Sequence, residues 1–139
     1  MNDQQIKIIQ QTFAMVVPIA DTAADLFYTR LFELDPSLKK LFKSDLTLQG
    51  AKLMKMLGYV VNGLNNLDAL IPAIQDLGRR HVDYGVTSDM YETVGLSLLW
   101  TLEKGLGPAY TEEAKEAWCT AYTILKNVMC DAAYNDEIA

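Results

Sequence analysis

Apolar residues recur at spacings of three and four along almost the whole chain, and this periodicity constrains the fold more than any other feature. The clearest stretch contains Leu67, Leu70, Ile74, Leu77 and His81, which are spaced 3, 4, 3 and 4 residues apart. Such spacing places side chains on one face of an α-helix, whereas a half-buried strand requires alternation. No run of the sequence alternates in that way. The pattern therefore predicts an all-α fold of about seven helices.

Capping residues and prolines divide this pattern into separate helices. We expect Asp3 to cap the first helix and Pro18 to begin the second. Pro36 follows a capping aspartate and predicts a short third helix. Pro72 falls inside a later segment, whose beginning we expect to be broken or kinked. Thr111, followed by two glutamates, predicts the start of the last helix.

Length and charge limit the classes of function. The chain has 139 residues, of which 50% are hydrophobic, so we expect a single domain over residues 1–139 with its own core. The net charge of −6 argues against nucleic acid and anionic membranes as main partners. No apolar run is long enough to span a bilayer, and the polar N-terminus predicts a cytoplasmic protein. Composition leaves the choice between monomer and homodimer open.

His81 is the only histidine, so metal motifs that need several histidines are excluded. Most lone helical histidines are satisfied core residues or surface residues. The face that leads to His81 is otherwise aliphatic, however, and a buried imidazole needs partners for its ring nitrogens. One imidazole in an apolar pocket is the donor set of a single axial ligand to haem iron.

Tyr28 and Gln49 are candidate hydrogen-bond donors in the same pocket. Gln49 interrupts the apolar stripe one turn before Leu53, and Tyr28 lies at the edge of another stripe. The ordinary alternatives are a surface glutamine and an amphipathic core tyrosine. If the two converge, they offer a phenol O–H and an amide N–H to an otherwise dry cavity.

Taken together, these residues resemble a globin, most closely the bacterial single-domain globins and the haem domain of flavohaemoglobins. The resemblance runs from about Gln4 to Met129, and no single piece is diagnostic, but their order and spacing are specific. The pieces are residues 26–32 (Leu-Phe-Tyr-Thr-Arg-Leu-Phe), Asp35-Pro36, Leu41-Phe42, Gln49 with Leu53, residues 77–86, Tyr91 with Val94-Gly95, and Glu116-Ala117-Trp118.

The resemblance implies a globin fold around haem b, with His81 as the proximal iron ligand. Tyr28 and Gln49 match the distal pair that hydrogen-bonds O₂, and NO and CO are further expected ligands. Donors aimed at polarised O₂ stabilise it more than neutral CO, which predicts slow O₂ release. The other implied haem contacts are the ring-wedging Phe42, the ligand-crowding Leu53, the apolar Leu77, Val86 and Val94, and the propionate-facing Lys52 and Arg80. For the last two, together with Arg79, a solvated charged surface is an equal alternative.

The chain departs from the flavohaemoglobin pattern on the proximal side. Tyr91 matches the tyrosine of that family's proximal network, but the position of its glutamate is Ala133, and Asp131 is offset by two residues. A strong electron push through His81 is therefore not expected. The sequence has no flavin or nicotinamide domain, so repeated dioxygenation of NO to nitrate would need an external reductase.

Three functions follow as alternatives. The first is a haem protein that binds O₂ tightly and dioxygenates NO with a separate reductase. The second is a gas or redox sensor that acts through a partner protein. The third is a haem-free interaction module with a globin fold, which the intact Phe42 and His81 disfavour.

Overall fold

Six α-helices are present in the computed structural model, which describes residues 2–41, 45–83, 87 and 89–132. In chain order the helices are α1 (Asp3–Val16), α2 (Ala20–Leu34), α3 (Leu46–Asn62), α4 (Leu67–Asp83), α5 (Met90–Leu106) and α6 (Glu112–Cys130). The predicted all-α fold is confirmed, and none of the residues described belongs to a strand. The short third helix expected after Asp35 is a 3-10 helix, Pro36–Leu41. No helix in the described ranges is long and apolar enough to cross a membrane.

The helix ends follow local hydrogen bonding, with three departures from expectation. Pro18 does not begin α2: it lies in a separate 3-10 helix, Val17–Ile19, and α2 starts after it at Ala20. Asn2, not Asp3, caps α1: its side chain accepts the Gln5 N–H at 2.8 Å, and Gln5 returns a bond to the Asn2 N–H. Helix α4 continues through Pro72 without the expected break. Pro72 lies near the start of the helix at an exposed position, where water can satisfy the one carbonyl that it leaves without a helical partner. The predicted cap of α6 is confirmed, since Thr111 accepts the Ala114 N–H at 3.1 Å.

The periodic positions form the core, except at helix ends. All four residues of the first stripe are buried in α1: Ile6, Ile9, Phe13 and Val16. Leu34 and Leu46 belong to later stripes but are 41% and 42% exposed, because each is the terminal residue of its helix. The principal packing pairs are α2 with α5, α4 with α6, α1 with α6, and α2 with α3.

Buried apolar residues separate into two clusters. The larger cluster includes residues of α1, α2, α3, α5 and α6. The smaller cluster joins Leu70 and Ile74 of α4 to Tyr91 of α5 and Met129 of α6. Leu67 packs against both clusters. Tyr28 belongs to the larger cluster, whereas α4, the helix that carries His81, contributes Leu70 and Ile74 to the smaller one.

Candidate functional site

Tyr28 lies inside the larger cluster and is only 6% exposed. The sequence pattern placed it at the edge of the apolar stripe, but two aromatic neighbours on α2 enclose its ring. Phe27 meets it edge-on with a centroid distance of 5.1 Å, and Phe32, one turn later, stacks on it at 6.1 Å. Burial raises the pKa of Tyr28 to about 12, so its phenol remains a neutral hydrogen-bond donor at physiological pH.

Helix α3 brings Gln49 to the same side of the molecule. Gly50 is buried against α2, and a Cβ built on it would lie 2.8 Å from the Ala24 Cβ and 3.9 Å from the Tyr28 ring. A side chain at position 50 would therefore force the two helices apart. Gln49 is the preceding residue and is half-buried. The two predicted distal donors therefore lie on α2 and α3, and these two helices pack closely against each other.

Leu53 and Val94 pack against the cluster that contains Tyr28. Leu53 also lines a small, mostly apolar cavity of about 20 Å³ between α3 and residues of α1, α2, α5 and α6. Thr101 is its only polar residue, and the Thr101 hydroxyl is satisfied by donating to the Ser97 carbonyl at 2.8 Å. A cavity of this volume holds at most about one water-sized molecule.

His81 lies in the last turn of α4, where the main chain fixes its ring. Its Nδ1 is 2.8 Å from the Leu77 carbonyl oxygen, one turn earlier. Because a carbonyl can only accept, this bond requires the proton on Nδ1 and leaves the lone pair of the neutral imidazole on Nε2. Burial lowers the pKa of His81, the Leu77 hydrogen bond opposes this shift, and the Arg80 charge adds to it. The net direction favours the neutral ring that a metal ligand needs.

The Tyr91 ring lies beside the His81 ring. It is buried and is centred 6.5 Å from the His81 ring, at an angle of 34°. The Tyr122 hydroxyl donates a short hydrogen bond to the Tyr91 carbonyl oxygen and so fixes the start of α5 against α6. Burial raises the pKa of Tyr122 above its ordinary value, so this donor also stays protonated.

Gly78 sets the distance between the His81 helix and α6. A Cβ on Gly78 would lie 2.5 Å from the Met129 carbonyl oxygen and 2.7 Å from its Cα. Real Cβ atoms do not come that close to backbone, so only glycine permits this contact. Because α4 lies so close to α6 at Gly78, Leu77 packs against the smaller cluster, which also contains Tyr91.

The remaining predicted residues are exposed or lie outside the described ranges. Lys52 and Arg80 are exposed, and Arg80 pairs with Asp76 at 3.3 Å. Asp131 is exposed at the end of α6. Phe42, Val86 and Ala133 fall outside the residues that the structure describes.

Sequence reasoning gave no role to three residues that shape the site: Phe32, Gly50 and Tyr122. Phe32 had a usable signal, because it follows Tyr28 by one helical turn. Gly50 and Tyr122 act through residues more than twenty positions away, and one sequence does not reveal such contacts.

The arrangement fits a flat apolar cofactor such as haem. The candidate distal residues Tyr28 and Leu53 belong to one cluster, whereas Leu77 and Tyr91, which flank His81, belong to the other. His81 provides a neutral imidazole with its second nitrogen anchored, which is the usual form of a metal-bound histidine.

Comparison with known proteins identifies one family of haem proteins. The profile of the globin family matches residues 25–129, which is most of the chain. Neuroglobin from Danio rerio is 36% identical in an alignment of 118 residues, and the match covers 75% of this chain and 74% of neuroglobin. The chain therefore belongs to the globin family, as the sequence motifs predicted.

Flavohemoproteins are a second group of relatives. Those of Vibrio cholerae and Xylella fastidiosa are 28% and 30% identical, over 94% and 91% of this chain. The chain spans only about a third of their length, 34% and 32% respectively. Membership in the globin family implies a haem cofactor and haem-based binding of diatomic gases.

Solved structures agree on the fold. An engineered carbene transferase built on a candidate nitric oxide dioxygenase of Rhodothermus marinus superposes with a TM-score of 0.88, at 23% identity, over 99% of this chain and 96% of that one. A hexacoordinated haem protein from an anhydrobiotic tardigrade gives a TM-score of 0.85, at 16% identity, over 96% and 95% of the two chains. At these identities the likeness establishes the fold alone.

Proposed function

We propose that this globin binds haem b through His81 and reversibly binds O₂, NO and CO on the side of Tyr28 and Gln49. When bound, haem supplies an iron atom with a position at which O₂ becomes polarised. The observation that carries the proposal is the 2.8 Å contact between His81 Nδ1 and the Leu77 carbonyl oxygen. It directs the lone pair of the imidazole to Nε2, the atom that an axial ligand must offer.

On the proximal side, the chain holds His81 with a carbonyl rather than a carboxylate. A neutral carbonyl draws less on the Nδ1 proton than a carboxylate does, so the imidazole transmits less electron density. Tyr91 then acts by packing, because its ring limits the rotation of the His81 ring. This arrangement favours retention of the gas.

On the distal side, Tyr28 and Gln49 act as donors to polarised O₂. Tyr28 stays protonated because burial raises its pKa to about 12. Each hydrogen bond in a dry pocket contributes about 1–3 kcal/mol, which corresponds to a change of about 5- to 100-fold in the rate of O₂ release. Leu53 limits the room beside the gas and excludes water. We therefore propose high O₂ affinity.

The periphery of the cofactor is assigned to four further residues. Val94 packs against the larger cluster, and the resemblance to globins gives Phe42, which lies outside the described residues, the role of contacting the ring of the cofactor. Lys52 and Arg80 are exposed cations that would pair with the propionates of the bound cofactor. Arg80 can do so only by sharing its guanidinium with Asp76, to which it is already paired.

We further propose that the protein dioxygenates NO to nitrate with the help of a separate reductase. The similarity to flavohemoproteins supports this function. The residues of this chain would contribute tight retention of O₂ and exclusion of water. The measurement is nitrate formed per haem after mixing the O₂-loaded protein with NO.

The absorption spectrum of the purified protein tests haem binding directly. We expect a Soret band that shifts when dithionite and CO are added, and loss of the normal band and of ligand kinetics in His81→Ala. Normal spectra and kinetics in haem-loaded His81→Ala would remove His81 from the axial role. The spectrum of the ferrous protein without added gas also reports whether a sixth ligand is present at rest.

Substitution of Tyr28 tests the distal assignment. In Tyr28→Phe we expect O₂ to dissociate about 5- to 100-fold faster, while CO dissociation changes little, because CO accumulates less charge. Stopped-flow displacement of O₂ by CO measures the rate. Tyr59→Phe is the matched control, since Tyr59 is 57% exposed on α3. Equal O₂ rates in the two variants would contradict the role of Tyr28.

A further inference from the structure

Positive charge is concentrated in one part of this acidic chain. Between Asp35 and Asp68 the sequence contains five lysines and one acidic residue, a net charge of +4. The rest of the chain contains seven basic and seventeen acidic residues, a net charge of −10. The two parts sum to the overall −6, so the molecule has a strongly uneven charge distribution.

Four of these lysines are described by the structure, and all are exposed: Lys39, Lys40, Lys52 and Lys55. We call them the lysine surface. None of them forms an ion pair with another residue in the described ranges. The one acidic residue of this stretch, Asp45, is engaged in capping α3, where it accepts the Thr47 N–H at 2.8 Å.

The lysine surface borders the candidate distal site. The Lys39 ammonium lies 5.8 Å from the centroid of Phe32, and Phe32 stacks on Tyr28 at 6.1 Å. A Cβ on Gly50 of α3 would lie 3.9 Å from the Tyr28 ring, and Lys52 is an exposed residue of the same helix. Lys55 is one turn beyond Lys52 on the exposed part of α3. The two elements that carry these lysines, Pro36–Leu41 and α3, both pack against α2, the helix of Tyr28.

The other side of the site lacks such a concentration of charge. Arg80 on α4 is paired with Asp76. The first two turns of α6, by contrast, contain three exposed glutamates, Glu112, Glu113 and Glu116. An anionic protein would thus be attracted to one region of the surface and repelled by the rest.

We propose that the lysine surface is the docking site for an acidic protein that donates single electrons, such as a reduced flavoprotein. This inference rests on the proposed function, which needs an external reductase. In the transfer, one electron passes from a flavin hydroquinone to ferric haem, which leaves a flavin semiquinone and ferrous haem. The surface brings the donor to the side of the cofactor bordered by Tyr28, and salt weakens the encounter.

The sign of the salt dependence gives a sharp test. Net charges predict that this globin and an acidic donor repel each other, so salt would accelerate reduction. Docking at the lysine surface predicts the opposite. With hydroquinone flavodoxin as the acidic probe, we expect the second-order rate constant for haem reduction to fall about tenfold between low and physiological ionic strength. A rate that rises with salt would overturn the proposal.

A pair of double variants with equal net charge separates position from total charge. Lys40→Glu with Lys55→Glu reverses the lysine surface, while Lys7→Glu with Lys115→Glu changes exposed lysines of α1 and α6. Each double variant lowers the net charge by 4, from −6 to −10. We expect about tenfold slower reduction at low salt in the first and a change within about twofold in the second. Equal slowing in both would overturn the proposal.

Carbodiimide cross-linking gives a readout that does not depend on electron transfer. The reagent joins lysine amines to carboxylates that are in direct contact, and mass spectrometry maps the products. We expect links from flavodoxin to Lys39, Lys40 or Lys55, and their loss at high salt. Links that involve mainly Lys7, Lys115 or Lys126 would overturn the proposal.

The outcomes distinguish this proposal from the function on which it rests. If the purified protein shows no Soret band, the proposed haem function fails. If the haem-loaded protein is reduced with the salt dependence of net repulsion, only the docking site fails. Binding of the lysine surface to anionic phospholipid vesicles, with no cross-link to flavodoxin, would also overturn the docking proposal alone.

Discussion

Tyr28 shows how a side chain's environment determines what its chemistry can do. An exposed tyrosine would begin to lose its proton near pH 10, whereas burial between two aromatic rings raises the pKa of Tyr28 to about 12. Its spacing in the sequence predicted the position on α2, but the enclosure depends on packing. The donor that the proposed function needs is therefore stable over a wide range of pH.

The shifted pKa of Tyr28 predicts that O₂ release depends little on pH. Because the phenol stays protonated well above pH 10, we expect a constant O₂ dissociation rate from about pH 6 to 10. Above about pH 11 the rate should rise as the donor is lost. Stopped-flow measurements in the wild type and in Tyr28→Phe test this: between about pH 6 and 10 the variant should release O₂ faster than the wild type, and both rates should be constant. A step near pH 10 that only the wild type shows would contradict the raised pKa.

Helix pairing depends on contacts that periodicity does not show. The stripe on α4 predicted which face is buried, and the bond from His81 to Leu77 follows from their spacing of four residues. The sequence did not predict that this face meets α6, or that Gly78 makes the meeting possible. A repeat of apolar residues identifies a buried face but not its partner, since many helices offer similar faces.

The contact at Gly78 can be tested against another helical glycine. In Gly78→Ala we expect a loss of about 1–3 kcal/mol in the free energy of unfolding and faster loss of haem, because the Met129 backbone must move. Gly58→Ala is the control, since its Cβ would lie 3.6 Å from the Phe13 ring, an ordinary contact. That variant should be neutral or up to about 1 kcal/mol more stable.

Urea unfolding followed by circular dichroism measures the first effect, and haemin transfer to apomyoglobin measures the second. Equal stability and equal haem retention in the two variants would show that α4 does not need its close approach to α6. Loss of stability without faster haem loss would separate the packing of α4 from the orientation of His81.

At the scale of the whole molecule, the beginning and end of the described chain are joined by one buried hydrogen bond. The Trp118 indole N–H of α6 donates to the Thr12 hydroxyl of α1 at 2.9 Å, and the Thr12 hydroxyl donates to the Ile8 carbonyl at 2.7 Å. The two partners are 106 residues apart. The sequence showed Trp118 as part of a globin-like motif but gave no reason to expect a polar partner, because Thr12 is an ordinary residue in a helical stretch.

We expect removal of the Thr12 hydroxyl to lower the free energy of unfolding by more than the small size of the group suggests. In Thr12→Val the shape is nearly conserved, but the indole N–H of Trp118, which is 4% exposed, is left without an acceptor. We expect the free energy of unfolding to fall by about 1–3 kcal/mol. Thr12→Ser keeps the hydroxyl and loses one methyl group, which costs about 0.8 kcal/mol. If urea unfolding finds Thr12→Ser as unstable as Thr12→Val, the packing of the methyl group, and not the hydrogen bond, holds α1 against α6.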